Sequence, residues 1–151
     1  MLWKIFRKFW FESKFEARSF DISEFYSLPD FEKYYSTAVE LFQNDGAKVV
    51  IVSQPYIYKK EVTPEVKATL WMQKDVCEQN GNIPDTESMG MAMDAYNSKA
   101  AAIASKYNAI FVHGEPALPK NLEYFVDDVH YTSIGAKTLA TAIADGITST
   151  Q

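Results

Sequence analysis

The stretch K-V-V-I-V-S-Q-P, residues 48–55, constrains the fold of this chain more than any other segment. It follows an amphipathic helical pattern and a glycine stop at Gly46, and its β-branched residues form one short, uninterrupted apolar run. Such a run is typical of a strand buried on both faces, because a strand with one exposed face shows alternating polar residues. Strands of that kind belong to parallel sheets covered by helices. The segment therefore predicts α/β architecture.

Helical patterns alternate with this strand and with a second one. The second strand is A-I-F-V, residues 109–112, and long helices are predicted at about 31–44, 89–107 and 134–147. This order predicts right-handed crossovers, with Lys48–Gln54 and Ala109–Val112 as adjacent parallel strands. Two strands make a very small sheet with two open edges, so the chain is interpreted as part of a sheet domain.

Local signals predict where the helices begin. Asp30 is the predicted cap of the first long helix, and residues 15–29 are predicted to form a connection before it. Thr63 and Pro64 have the cap and first-turn positions of another helix. Asn44-Asp45-Gly46 is a typical helix end, since glycine accepts the left-handed conformation there.

Composition excludes several classes of function. The chain has 151 residues, which predicts one domain, and its net charge of −5 argues against nucleic-acid partners. The single cysteine, Cys77, excludes an internal disulfide. Two histidines and one cysteine, widely spaced, predict no metal site, and the absence of a glycine-rich phosphate loop predicts no cofactor.

The N-terminal segment M-L-W-K-I-F-R-K-F-W-F predicts an amphipathic helix over residues 1–14. Its cations Lys4, Arg7 and Lys8 interrupt the apolar run, so it is not a signal peptide. Two interpretations stay open: a helix whose apolar face packs on a protein core, which is favoured, and a helix that lies on a membrane surface.

The chemistry of the chain is concentrated in F-V-D-D-V-H-Y-T-S-I-G-A-K, residues 125–137. A turn there can bring the Asp127 carboxylate within hydrogen-bond reach of the His130 imidazole. The carboxylate would then fix the imidazole tautomer and leave the other ring nitrogen as a base. Thr132 or Ser133 would cap the last helix. A helix-capping loop with a partly buried histidine fits the same residues, and this alternative stays open.

The pattern F-x-D-D-V-H-x-T-x-x-G-A-x-x-L-A resembles the C-terminal half of the SGNH (GDSL-type) hydrolases. Two further segments support the resemblance, namely residues 54–71 and residues 94–104, which contain the pair Tyr96-Asn97. The resemblance covers about residues 30–148. It implies a flavodoxin-like three-layer α/β/α fold with a parallel sheet, N-terminally truncated, so that residues 1–151 form a single partial domain.

The resemblance also implies roles for individual residues. His130 corresponds to the general base of the family and Asp127 to the acid that orients it, whereas Asp128 falls at a variable position. The serine nucleophile of the Gly-Asp-Ser motif and the oxyanion glycine and asparagine are not found, since Gly-Asp-Ser occurs nowhere in the sequence. Asn44-Asp45 is a poor substitute because it ends a helix. The missing motifs are expected to lie upstream of Met1.

The function implied is that of a serine esterase acting on carbohydrate O-acetyl groups, lipid esters or small acyl esters. The chain alone is expected to be inactive without its serine. The alternative is a non-catalytic binding or interaction module on the same fold. His113 and Gln54 fall at strand ends and are expected to bond to local backbone, and no role is assigned to Cys77.

Overall fold

The computed structural model describes residues 19–20, 25–75 and 82–149. The predicted helix over residues 1–14 and Cys77 lie outside them. The elements, in chain order, are β1 (Ser19–Phe20), α1 (Leu28–Asn44), β2 (Val50–Val52), α2 (Pro64–Thr69), α3 (Met72–Asp75), β3 (Ile83–Pro84), α4 (Thr86–Lys106), β4 (Ile110–Val112), a 3₁₀ turn (Glu115–Ala117) and α5 (Ser133–Thr148).

The two strands predicted from apolar runs are adjacent and parallel. β2 pairs with β4 in the register Val50–Ile110, Ile51–Phe111 and Val52–Val112. The prediction of this pairing is confirmed, although each strand is only three residues long and therefore shorter than its apolar run. The chain is a mixed α/β protein with parallel strand pairing.

Helices cover both faces of this strand pair. On one face Ile51 is 1% exposed and belongs to a cluster with Val39 of α1 and Ile103 of α4. On the other face α5 packs against β4 at Gly146, where a Cβ atom would lie only 2.7 Å from a Val112 methyl group. The lack of a side chain at Gly146 thus lets the helix approach the strand closely.

Two helix starts differ from the predictions. α1 begins at Leu28 with Ser27 at the cap position, so the prediction of Asp30 as the cap is wrong. The reason is Pro29, which favours the first turn because no backbone N–H is needed there. α4 begins at Thr86, earlier than predicted, because the Asp85 carboxylate accepts a hydrogen bond from the backbone N–H of Ser88 at 2.7 Å.

A second parallel pair was not predicted. β1 lies within residues 15–29, so the prediction that these residues form only a connection is wrong, and β1 pairs with β3 in the register Ser19–Ile83 and Phe20–Pro84. Each strand has two residues, too few for a periodic pattern.

Other local predictions are confirmed: Gly46 has φ +83°, and the Thr63 hydroxyl accepts from the backbone N–H of Val66.

The last helix begins as predicted and is closely packed at its first turn. The Thr132 hydroxyl accepts a hydrogen bond from the backbone N–H of Gly135 at 3.1 Å, and Thr132 therefore caps α5. Gly135 is buried against the backbone carbonyl of Tyr124, with no room for a Cβ atom. This contact fixes α5 against the loop that precedes it. Within the described residues, none of the helices is both long and apolar enough to span a membrane.

We expect Gly135→Ala to lower the free energy of unfolding by about 2 kcal/mol or more, because the added methyl group would collide with the Tyr124 carbonyl. Gly90→Ala in α4 is the matched control, since its Cβ would meet only ordinary contacts at 3.7 Å. Alanine is preferred over glycine in helices, so the control is expected to be neutral or stabilising. Urea denaturation of both variants tests the prediction, and equal losses of stability would contradict it.

Candidate functional site

The candidate site is a short loop between two backbone contacts that close it. The backbone N–H of Val126 donates to the carbonyl of His130 at 2.9 Å, and that of Thr132 donates to the carbonyl of Tyr124 at 3.0 Å. Phe125, at the start of the loop, is 1% exposed and packs against Tyr131. The loop is therefore anchored by an apolar side chain while its tip faces solvent.

Asp127 and His130 are in contact at the tip of this loop. The His130 Nδ1 atom lies 3.0 Å from Oδ1 and 2.9 Å from Oδ2 of the Asp127 carboxylate. Oδ1 also accepts from the backbone N–H groups of Val129, at 3.1 Å, and His130, at 2.9 Å. An aspartate bonded to the backbone two and three residues ahead forms a local turn, which explains why D-x-x-H folds this way. The predicted contact is confirmed; the catalytic roles stay predictions.

Trp71 contacts both members of this pair. Its indole Nε1 donates to Asp127 Oδ2 at 3.2 Å. Its ring lies nearly parallel to the His130 ring, with an interplanar angle of 18° and 6.5 Å between centroids. Trp71 therefore belongs to the site, although it lies 56 residues before Asp127 in the sequence.

Asp128 is buried under the site with 0% exposure. Its Oδ1 accepts a hydrogen bond from the Tyr58 hydroxyl, and its Oδ2 accepts from the backbone N–H groups of Trp71, at 2.7 Å, and Met72, at 3.2 Å. A buried carboxylate is costly unless donors satisfy it, and here three donors do so. The assignment of Asp128 to a variable position without a role missed this structural function.

The site lies next to the carboxyl end of β2. Asn97 of α4 holds the backbone of Gln54, two residues after that strand, since its side chain accepts from the Gln54 N–H at 2.7 Å and donates to the Gln54 carbonyl at 3.0 Å. The Gln54 amide donates to the Tyr131 hydroxyl at 2.5 Å. The Ile57 N–H donates to the Asp128 carbonyl at 3.1 Å. These bonds connect the loop to the strand end, where ligands bind in open parallel sheets.

Hydrogen bonding controls the ionisation of Asp127. Partial burial works to raise the pKa of this carboxyl, but the backbone N–H groups of His130 and Val129, together with the His130 ring, outweigh it. The pKa of Asp127 is therefore lowered from its ordinary value of 3.8. The carboxylate stays ionised wherever a protein imidazole titrates, and it can orient the ring throughout that range.

The exposed side of His130 can accept a proton. The His130 side chain is 64% exposed and that of Asp127 is 20% exposed. With Nδ1 directed at the carboxylate, Nε2 is the ring nitrogen that remains for a base to use. Among the residues that the structure describes, no serine, threonine or cysteine side chain forms a hydrogen bond with His130. In the same part of the chain, no group of acids, histidines or cysteines could hold a metal ion.

The residues around the site follow the sequence-based expectations only in part. The Gln54 amide bonds to the Pro55 carbonyl, as expected, but also reaches Tyr131. His113 is exposed and packs against Phe111, and within the described residues its ring forms no hydrogen bond with backbone, contrary to the expectation. In the pair Tyr96-Asn97, the asparagine side chain makes the two hydrogen bonds that hold the Gln54 backbone.

Comparisons with known proteins give no match. No protein-family model matches the chain, and searches of curated proteins and of solved structures find no significant similarity.

We expect Asp128→Ala to lower the free energy of unfolding by about 3 kcal/mol or more, because a buried hydroxyl and two backbone N–H groups would lose their acceptor. Asp145→Ala, which alters an exposed carboxylate of α5, is the control and should stay within about 0.5 kcal/mol of wild type. Equilibrium urea denaturation measures both. If the two variants lost equal stability, Asp128 would not have the anchoring role described.

The lowered pKa of Asp127 predicts a pH-dependent contribution to stability. A carboxyl whose pKa is lower in the folded state than in the unfolded state stabilises the fold at pH values above its unfolded pKa. This stabilisation is lost as the pH falls through its folded pKa. The difference in unfolding free energy between wild type and Asp127→Asn should therefore be largest near neutral pH and shrink below 3.8. Urea denaturation across this pH range tests it, and a difference that grows on acidification would contradict it.

Proposed function

We propose that the chain supplies the histidine and the aspartate of an SGNH-type serine esterase, whose serine comes from sequence outside these 151 residues. The observation that carries the proposal is the Asp127–His130 pair, in which a carboxylate holds Nδ1 and the imidazole is exposed. Its position beside the carboxyl end of a parallel strand supports the same reading, since active sites of open α/β sheets form there.

The proposed reaction is hydrolysis of an acyl ester in two steps. The serine oxygen attacks the ester carbonyl while His130 Nε2 takes its proton, and Asp127 stabilises the resulting imidazolium. Collapse of the intermediate breaks the bond to the alcohol, which receives that proton from His130. Water, deprotonated by the same nitrogen, then attacks the acyl-serine carbonyl. The bond to the serine oxygen breaks, the acid leaves, and the serine oxygen takes the proton back from His130. Donors outside this chain would hold the oxyanion.

A flavodoxin-like sheet is the fold that we propose for the complete domain. Within the described residues β2 pairs on one edge only, with β4. An open apolar cleft of about 300 Å³ also lies between α1 and the start of β2, lined by Tyr35, Ala38, Val39, Phe42 and residues 47–51. An unpaired strand edge fits a sheet that continues there, because unpaired edges are normally covered or paired. The missing catalytic motifs would belong to that part of the sheet.

The substrate class follows from the proposed chemistry only as far as the ester bond. Carbohydrate O-acetyl groups, lipid esters and small acyl esters all fit. The alternative function is a non-catalytic binding module, and the specific observation in its favour is that Gly-Asp-Ser occurs nowhere in the sequence.

We expect ester hydrolysis from a protein in which the sequence upstream of Met1 is joined to these residues, and none from the 151 residues alone. In the longer protein, His130→Ala and Asp127→Asn should each lower kcat by about 10³-fold or more, since loss of a triad member has that effect. His113→Ala, which removes the other histidine, is the matched control and should leave kcat unchanged. Hydrolysis of p-nitrophenyl acetate and of acetylated oligosaccharides provides the measurement.

Two outcomes would overturn this proposal. A fluorophosphonate probe that labels a serine within these 151 residues, with labelling lost in His130→Ala, would show that the nucleophile lies in this chain. A gene that has no in-frame Gly-Asp-Ser upstream of Met1, together with a genuine start at Met1, would favour the binding module.

A further inference from the structure

We infer that Trp71 is a positioning residue for the Asp127–His130 pair, an inference that rests on the proposed function for its catalytic meaning. Nothing in the sequence pattern predicts this role, since Trp71 lies in a different segment and far from both residues in the sequence. The inference depends on which atom of the carboxylate each donor reaches.

The two oxygens of Asp127 are held by different groups. Oδ1 accepts from the backbone N–H groups of Val129 and His130. Oδ2 accepts from the Trp71 indole N–H at 3.2 Å. The His130 Nδ1 atom lies within 3.0 Å of both oxygens. Without the indole, Oδ2 would have only the His130 ring as a donor, so the carboxylate and the imidazole could turn together about the terminal carboxylate bond, whose rotamer distribution is broad. The indole donor on Oδ2 restricts that turn.

Trp71 also limits the movement of the imidazole. The His130 side chain is 64% exposed, and within the described part of the chain only Asp127 forms a hydrogen bond with its ring. An exposed imidazole held through one nitrogen can still rotate. A base that acts on a fixed nucleophile has to lose this rotational freedom. The nearly parallel Trp71 ring stands on one side of the imidazole and restricts this freedom.

The position of Trp71 is itself fixed by the neighbouring acid. Its backbone N–H donates to Asp128 Oδ2 at 2.7 Å, while its side chain donates to Asp127 Oδ2. Two consecutive carboxylates thus bind one tryptophan, one through the main chain and one through the indole. A tryptophan that only fills space does not need its indole N–H to point at a carboxylate. The hydrogen bond to Asp127 therefore indicates that Trp71 positions the pair.

The test compares Trp71→Phe, which keeps a ring and removes the indole N–H, with wild type by NMR of the 151-residue chain. Long-range ¹H–¹⁵N spectra at about pH 8, where imidazole is neutral, report the tautomer of each histidine. In wild type His130 should be mainly the Nδ1–H tautomer, and Trp71→Phe should lower that fraction by about twofold or more, the scale of one modest hydrogen bond. The tautomer of His113 should not change, and it serves as the internal control.

A second readout follows the Asp127 carboxyl carbon through an acid titration. Loss of a donor to the charged form should raise the pKa of Asp127 in Trp71→Phe. A purely structural role for Trp71 would change neither the tautomer nor this titration in a folded variant. Unchanged tautomer and titration in Trp71→Phe, with the backbone spectrum retained, would overturn the inference.

A further arm covers the case in which Trp71→Phe fails to fold. The double variant Trp3→Phe/Trp10→Phe keeps Trp71 as its only tryptophan, so the single indole N–H resonance is assigned without ambiguity. That resonance should shift with the same acid midpoint as the Asp127 carboxyl carbon, and a resonance that ignores this titration would overturn the inference.

Activity separates this inference from the proposed function. In the longer protein with esterase activity, Trp71→Phe should lower kcat by about threefold to tenfold with little change in KM, because the nucleophile meets a less ordered base. If the longer protein has no esterase activity, the proposed function fails, while the NMR readouts still decide whether Trp71 orients the pair.

Discussion

The site depends on one buried carboxylate, that of Asp128. This group accepts hydrogen bonds from Tyr58, in the segment that follows β2, and from the backbone N–H groups where α3 begins, while its own backbone carbonyl accepts from Ile57. A carboxylate with 0% exposure is tolerated only where donors replace its hydration, and its removal would leave those donors unpaired. It therefore ties three separate segments together at a single point, and the geometry of the exposed loop follows from that connection.

The two adjacent acids differ in their burial and in the groups that they bind. Asp128 is fully buried and satisfied by the protein, whereas Asp127 is 20% exposed and bonds the imidazole. Because consecutive side chains point in different directions, fixing Asp128 inward directs Asp127 toward the surface where His130 lies. Trp71 contacts both carboxylates and thereby couples the buried anchor to the exposed pair.

Features that depend on neighbouring residues could be predicted from the sequence, and features that depend on distant ones could not. The parallel strands, the Thr63 and Thr132 caps and the Asp127–His130 contact arise from local patterns or from residues three apart. The contacts of Asp128 with residues 56 to 70 positions away have no local signature. The two-residue strands β1 and β3 are too short for a periodic pattern. The sequence therefore predicts the contact between Asp127 and His130 but not the contacts that hold it in place.

The arrangement explains how an exposed histidine can be prepared for proton transfer. A surface imidazole normally turns freely, and a base that turns freely spends little time directed at any one partner. Here the carboxylate holds Nδ1, backbone N–H groups and the Trp71 indole hold the carboxylate, and Asp128 holds the backbone of Trp71. Each contact in this series restricts the next, so the buried end of the series sets the direction of the exposed end. The orientation of the imidazole is thus a consequence of packing beneath the loop, and the nucleophile that we propose has to approach the Nε2 side of the His130 ring.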